Sequence, residues 1–431
     1  MKDNNLYNCI NLQGNIEFVD LSANDIRYQL SNLRHLTFEV TDACNLKCKY
    51  CGYGEFYSDY DKRENKMLSM EKAIRLLEYL AELWNSNMNI SKDRHVYISF
   101  YGGEPLLNMP FIATIVDYVE NRLKCPHRHF SFSMTTNAIL LNRYADFLTK
   151  HRFNLLISLD GNDANSAYRV DNNNKPAFDS IVSNINLLRN KYPEYFEKYV
   201  NFNAVLHNKN SVEEIYRFFK DQYNKIPSIG ELNNTGIKPE QQKKFMATYR
   251  NVGESLHQSE HYDEIERDMF IRSGSYQTVT TFLHQYSGFV FRNYNDLFFE
   301  QQGIKTLPTG TCIPFSKKMF VTVNGKILPC ERIGHQHALG EITDTGIQLD
   351  FEKIAKKYNQ YYSKIKEQCI YCFIKRSCIQ CIFNLEDLET SCRCRGFTNE
   401  QSFRNYVNSQ LHFLSQHPED YYRIMEEVIV E

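Results

Sequence analysis

Between residues 36 and 230 short β-rich runs alternate with helical patterns, and that alternation leaves few folds open to the chain. The candidate strands are LTFEV (36–40), HVYISFY (95–101), HFSFSMT (129–135), FNLLISLD (153–160) and YVNFNAVL (199–206), with a weakly marked sixth, IPSIG, at 226–230. Between the first two, Met70, Ile74, Leu77, Ala81 and Trp84 recur at helical spacing, and Ser69 is placed to cap that helix. MPFIATIVDYVENRLK, PAFDSIVSNINLLRNK and SVEEIYRFFKDQY supply helices in later gaps. Such alternation implies parallel strands with right-handed crossovers, hence an α/β fold built as an open or closed β/α barrel. Barrels of this kind carry their chemistry on loops at the C-terminal ends of the strands.

One such loop, directly after the first strand, reads TDACNLKCKYCGYGEFY, with Cys44, Cys48 and Cys51 spaced C-x3-C-x2-C. The chain has 431 residues and 13 cysteines, so it is no small disulfide scaffold. Its first residues, MKDNNLYNCINLQGN, have no apolar core of a signal peptide, and no window approaches 18 uninterrupted apolar residues. The expectation is a cytoplasmic protein without a membrane span, whose thiols ligate metal or act in catalysis. A net charge of −2 argues against broad electrostatic binding to nucleic acid or to an anionic membrane. Three thiolates can hold three corners of a [4Fe–4S] cluster and leave the fourth iron open. A structural zinc wants four protein ligands, and Cys125 is the nearest candidate for a fourth. The triad by itself leaves both readings open.

Later loops add to it. YGGEP (101–105) follows the second strand, TTNA (135–138) the third and SLDG (158–161) the fourth, with YRVD (168–171) downstream. Together with the triad these resemble, in order, the motifs of the radical S-adenosylmethionine (SAM) superfamily, whose C-x3-C-x2-C signature follows the first strand of a partial (β/α)6 barrel. The resemblance implies S-adenosyl-L-methionine as cofactor and a [4Fe–4S] cluster on Cys44, Cys48 and Cys51. It implies a SAM site in which Gly102, Gly103 and Glu104 contact the amino group, Arg169 pairs with the carboxylate, Asn137 and Ser158 contribute, and Tyr50 packs near the adenine. In that family SAM chelates the open iron, the reduced cluster supplies an electron, and the resulting 5′-deoxyadenosyl radical abstracts hydrogen from a substrate.

A second cysteine field begins at Cys312: C-x12-G-x4-C through Gly325 to Cys330, then Cys369, Cys372, Cys378 and Cys381 as C-x2-C-x5-C-x2-C, then Cys392 and Cys394. This resembles the SPASM domain, an extension with two auxiliary [4Fe–4S] clusters, which makes three clusters in all. The usual last spacing of the middle block is C-x3-C; here it is C-x2-C. The resemblance implies that Cys312, Cys330 and Cys381 serve the first auxiliary cluster. It implies that Cys369, Cys372, Cys378 and one of Cys392 or Cys394 hold the second. The remaining cysteine of that pair completes the first cluster, or the first keeps an open iron. A pair of zinc sites is the alternative. KMFVTVNGKILPC reads as a hairpin turning at Asn324-Gly325, and His335 and His337 of GHQH read as ordinary loop residues. The resulting division is an N-terminal extension (1–35), the radical SAM partial barrel (36–230), a helical insertion or bridge (231–305), a SPASM domain (306–398) and a helical tail (399–431).

Enzymes with both regions mostly modify peptides and proteins, so the resemblance implies a precursor peptide or protein as partner. It also implies an electron donor such as flavodoxin or ferredoxin. Two activities compete: cross-linking, thioether formation or epimerisation of a ribosomally made peptide, and formylglycine formation in a sulfatase. The second uses an aspartate just after the G-x4-C cysteine as general base. Glu331 stands there, one bond longer, with a salt bridge to Arg332 or Lys326 as its other role. Peptide maturation is therefore the expectation. About 35 residues precede the first strand, too few for a winged-helix leader-binding module, so leader capture would need a separate leader-binding protein, the 231–305 region or an exposed strand edge. An iron–sulfur or zinc adaptor without activity is the non-enzymatic alternative.

Overall fold

A computed structural model describes residues 16–91, 94–270, 274–286, 304–385, 388–390 and 392–428; Cys9 lies outside them. The chain divides into two compact units. One is a barrel unit, Asn24–Asp268 with Ile313–Asp350. The other joins the N-terminal residues through Ala23 to Met269–Cys312 and Phe351–Glu431.

In the barrel unit six parallel strands follow one another in space: β1 (His35–Thr41), β2 (His95–Gly102), β3 (His129–Thr136), β4 (Asn154–Ser158), β5 (Val200–Val205) and β6 (Ser228–Gly230). Their two faces follow from the period of two. Leu36, Phe38 and Val40 are buried, and Phe38 meets Phe111 of helix Met109–Asn121 edge-on, so this set faces the helices. His35, Thr37 and Glu39 therefore face the interior. There His35 Nε2 is 2.6 Å from Ser99 Oγ, which in turn bonds Ser133 Oγ. The interior is polar.

Helix Met70–Trp84 begins where Ser69 accepts a bond from Lys72 N at 3.4 Å, as its cap position predicts. It buries Leu76, Leu77, Leu80 and Trp84, each contributing about 1.5–3 kcal/mol of apolar burial.

The predicted hairpin is present as β7 (Met319–Val321) and β8 (Lys326–Leu328), with Gly325 at φ +83° in the turn. Its place differs from the sequence expectation. β7 pairs in parallel with β1, and β9 (Gly340–Ile342) and β10 (Ile347–Gln348) continue the meander, so the hairpin extends the barrel sheet to ten strands. A parallel edge strand needs a partner whose outer edge is free, and β1 offers one because the partial barrel leaves it unpaired on that side.

In the second unit the short strands Ile16–Phe18 and Ile304–Thr306 pair in parallel. Helices Gly274–Tyr286, Phe351–Ile370, Glu400–Gln416 and Pro418–Glu427 also belong to it. Phe270, Val279, Leu283, Phe403, Val407 and Ile424 form its apolar core. Among the described residues no helix is long and apolar enough to cross a membrane.

Candidate active site

The triad loop leaves β1 at Thr41 and is tied down on both sides. Lys47 N donates to Val170 O at 2.7 Å and Lys49 N to Tyr168 O at 3.1 Å, so the YRVD stretch runs alongside it. From the other side Gly103 N donates to Thr41 O and Glu104 N to Ala43 O, both at 2.9 Å. This approach needs glycine. A Cβ on Gly103 would stand 2.0 Å from Ala43 O, and one on Gly102, at φ +137°, 2.1 Å from Thr41 O.

Glu104 is fully buried. Its Oε1 accepts from Thr136 Oγ1 (2.7 Å) and Leu106 N (3.1 Å), and Oε2 accepts from Asn137 N (2.8 Å). Burial lifts its pKa to about 7 against those donors. Asn137 then reaches the triad loop: its Nδ2 lies 2.8 Å from Asn45 Oδ1 and 3.7 Å from Cys44 Sγ. Leu46 N also donates to Cys44 Sγ, at 3.4 Å. The YGGEP and TTNA loops thus converge on Cys44.

Burial pushes the Cys48 thiol up to about 12, with Arg169 opposing, and raises Cys44 as well. Thiols so placed give up their protons when a cation receives the sulfur. Three of them on one loop, unbridged and supplied with N–H donors, suit a cluster with three protein ligands. Cys125 is no fourth. It precedes β3, at the opposite end of parallel strands some 25 Å long, and its Sγ is buried 3.7 Å from Asn85 Oδ1.

Asp160, of SLDG, anchors the other flank. Its Oδ2 accepts from Arg169 Nε (3.0 Å) and from the Tyr50 hydroxyl, and its Oδ1 from Arg169 Nη2 (2.9 Å) and Val205 N (3.0 Å). Burial opposes the charge, but Arg169 and these donors hold the carboxyl at about 2. Arg169 is therefore buried and paired bidentately within the protein, which the motif alone did not reveal. Tyr50 stacks on His207 at 5.6 Å, and its hydroxyl is committed to Asp160. Ser158 ends β4, half-buried, in register with Asn203.

Two groups escaped the sequence reading. Glu39 lies mid-strand, 1% exposed, accepting from the Tyr53 hydroxyl and from Val323 N (2.9 Å). Arg63 packs over the Tyr53 ring at 4.4 Å and points Nη2 at Cys51 Sγ, 3.5 Å away. A polar residue at an inward strand position was the available signal for Glu39. Arg63 sits in DKREN, which reads as a solvated charge run. Segment 232–249, assigned from sequence only as an insertion, covers the triad loop. Lys238 N donates to Phe56 O at 2.9 Å and Ser58 N to Gly236 O at 3.0 Å, and Phe245 and Leu232 pack on Phe56, Tyr57 and Tyr50.

Of the two partners expected for Glu331, Arg332 makes a long ion pair and Lys326 none, and the closest partner is a third residue, Lys318. Lys318 Nζ donates to both its oxygens, at 3.0 and 3.1 Å, whereas Lys326 pairs with Asp61 at 2.7 Å and Arg332 stands 4.0 Å off. Burial opposes its ionisation, yet Lys318 keeps it below the usual glutamate range. His335 is buried, accepts from Asp61 N at 3.1 Å and packs edge-on to Tyr60; it is a packing residue.

In the second unit Cys369, Cys372, Cys378 and Cys394 line one cleft with Thr309 and Lys375. Burial, then Cys378 and the other two thiols, lift Cys369 to about 12. Cys392 stays outside this cleft, buried, with Lys364 and Cys394 as its electrostatic neighbours. Cys381 feels Cys312. Cys330, in the barrel unit, is raised to about 11 by burial and by Glu331. Among the described residues no three cysteine sulfurs lie mutually within 4.8 Å.

A six-stranded parallel barrel with a three-cysteine loop after β1, buttressed by YGGEP and TTNA, defines a radical SAM domain. Residues 38–221 match the family model of the Radical SAM superfamily. A cysteine-type anaerobic sulfatase-maturating enzyme of Clostridium novyi is 30% identical over 197 residues, 45% of this chain and 49% of that protein. The radical SAM cyclopropyl synthase TigE of Paramaledivibacter caminithermalis is 26% identical over 183 residues, 40% of this chain and 35% of that protein. A GTP 3′,8-cyclase of Staphylococcus haemolyticus is 27% identical over 203 residues, 44% and 52% of the two chains. The chain thus spans about half or less of these three relatives. The solved structure of anSMEcpe with bound AdoMet shares the fold, with a TM-score of 0.54 and 18% identity over 92% of this chain and 96% of that one.

Proposed function

We propose that the chain is a radical SAM enzyme that modifies a ribosomally made peptide or a protein. The convergence of two motif loops on Cys44 carries the first half of this reading. Cys44, Cys48 and Cys51 would hold the SAM-binding [4Fe–4S] cluster; Gly102, Gly103, Glu104, Asn137, Ser158 and Arg169 would border SAM, with Tyr50 beside it. When bound, cluster and SAM supply a one-electron source and a hydrogen-abstracting group. The chain's own residues do the rest. Phe56, Tyr57 and Phe245 shield the triad loop from water, and the polar interior around His35, Ser99 and Ser133 offers hydrogen bonds that orient a substrate.

For the auxiliary clusters the reading assigns Cys369, Cys372, Cys378 and Cys394 to one. Cys312 and Cys381 would serve the other, with Cys392 in reserve. The cleft supports Cys394 over Cys392. One of the relatives is named for sulfatase maturation and a solved structure of the same fold, native anSMEcpe, holds the Cp18Cys peptide, which supports that substrate class over a nucleotide. A cytoplasmic setting, a flavodoxin- or ferredoxin-type donor and a separate leader-binding protein complete the proposal.

Anaerobic reconstitution should give about twelve irons per chain. Cys44→Ala, Cys48→Ala or Cys51→Ala should abolish 5′-deoxyadenosine formation and leave about eight. An iron content near four in well-folded protein would sink the auxiliary clusters. Within the second unit, Cys394→Ala is expected to lose the iron of one auxiliary cluster, while Cys392→Ala keeps it. Equal losses from both would remove the preference for Cys394.

The second reading, formylglycine formation, rests on Glu331 as base. Lys318 bonds both oxygens of that carboxylate, which lowers its basicity. A sulfatase-like peptide with a central cysteine or serine is therefore expected to yield no aldehyde by hydrazide capture. Efficient aldehyde formation would reverse the choice between the two activities.

A further inference from the structure

Arg63 lies outside every motif that led to the site, yet among the described residues it is the cationic side chain that donates to a triad sulfur. Its Nη2 is 3.5 Å from Cys51 Sγ. The guanidinium rests on the Tyr53 ring at 4.4 Å, the Tyr53 hydroxyl is fixed on Glu39, and Glu39 is fixed by Val323 N. Arg63 Nε is buried without a hydrogen-bond partner, so the side chain is held in place by the ring and the sulfur. The buried Glu39 carboxylate and the triad sulfurs both draw the cation inward, and of these it is Cys51 Sγ that receives its N–H.

We propose that Arg63 is a positioning residue that sets the reduction potential of the cluster held by Cys44, Cys48 and Cys51. The inference rests on the radical SAM reading of the triad. A cationic N–H···S bond draws charge from a ligand thiolate and favours the more electron-rich, reduced cluster. Arg63 therefore raises the potential and makes the cluster easier to charge with its electron. Tyr53 and Glu39 hold the guanidinium over Cys51, linking the barrel interior to the cluster's ligand shell.

The test is a potentiometric titration of the reconstituted full-length chain, read by the EPR signal that changes on adding SAM. In Arg63→Met that midpoint should move to more negative potential. At a fixed poise near the wild-type midpoint, the ratio of reduced to oxidised cluster should fall about tenfold, or some 59 mV for one electron. Arg63→Lys, which keeps the charge but not the planar fork, should recover part of the shift. Signals that do not respond to SAM should stay where they are. An unmoved midpoint in Arg63→Met with full iron content overturns the proposal. If Arg63→Met loses triad iron, Arg63→Gln is read instead, since it keeps an N–H donor without the charge. A wild-type midpoint there, or iron loss there too, assigns Arg63 a structural role and equally overturns the tuning role. No SAM-responsive signal in the unaltered chain would fail the cofactor reading itself, which separates the two failures.

Discussion

Asp160→Ala should destabilise the barrel unit by about 3–5 kcal/mol, the usual penalty for removing one partner of a buried ion pair. The carboxylate is 0% exposed and collects four hydrogen bonds, two of them from Arg169. Its loss strands the Arg169 cation and the Tyr50 hydroxyl in a dry pocket beside Cys48. The pH dependence gives an independent check. The folded-state carboxyl is held at about 2, below the ordinary aspartate value of 3.8. A depressed acid pKa contributes stability that is present above the unfolded value and lost as pH falls through the folded one. Wild-type urea midpoints should therefore decline between about pH 4 and pH 2, and Asp160→Ala should lose much of that slope. Arg169→Ala should be as damaging, because it leaves the buried anion unpaired. If either variant unfolds within about 1 kcal/mol of wild type, the pair is not the anchor that its geometry makes it.

That result bears on how far the sequence could be read. The β/α alternation was legible because each strand is short and bounded, and Ser69 was legible as a cap because its chemistry is local. The triad and the YGGEP, TTNA and SLDG loops were legible as an ordered set. What they do for one another was not. YRVD by resemblance assigned Arg169 to the cofactor; its bidentate pairing with Asp160 joins residues on different segments, and no periodicity encodes it. Glu331 showed the same limit. Arg332, its neighbour in sequence, is a distant partner at 4.0 Å, whereas the closer one, Lys318, is brought opposite it by the β7–β8 register, in which Leu328 faces Phe320. The docking of β7 itself was invisible, since a hairpin signal specifies its turn and not the edge it joins. Arg63 was hidden for the opposite reason, in a run whose composition matches any solvated loop.

The glycines of YGGEP give the sharpest test of how these parts depend on one another. Gly103→Ala places a Cβ 2.0 Å from the backbone oxygen of Ala43, closer than any side chain tolerates. No flexible group can yield, because the obstacle is main chain. The loop after β2 must move off the triad loop and give up the bonds from Gly103 N to Thr41 O and from Glu104 N to Ala43 O. Glu104 and Asn137 would lose their register with Cys44. The expected result is a loss of about 3 kcal/mol or more, together with loss of triad iron and SAM binding. Iron held by the four-cysteine cleft should survive, because Cys369, Cys372, Cys378 and Cys394 belong to a separate compact unit. Gly346→Ala is the control. A Cβ there meets nothing within 4 Å, so stability should change by less than about 0.5 kcal/mol. Iron analysis and urea unfolding of both variants decide the matter. A Gly103→Ala protein with full iron and an unchanged midpoint would show that the YGGEP loop does not support the triad, and the role given to Glu104 and Asn137 would fall with it.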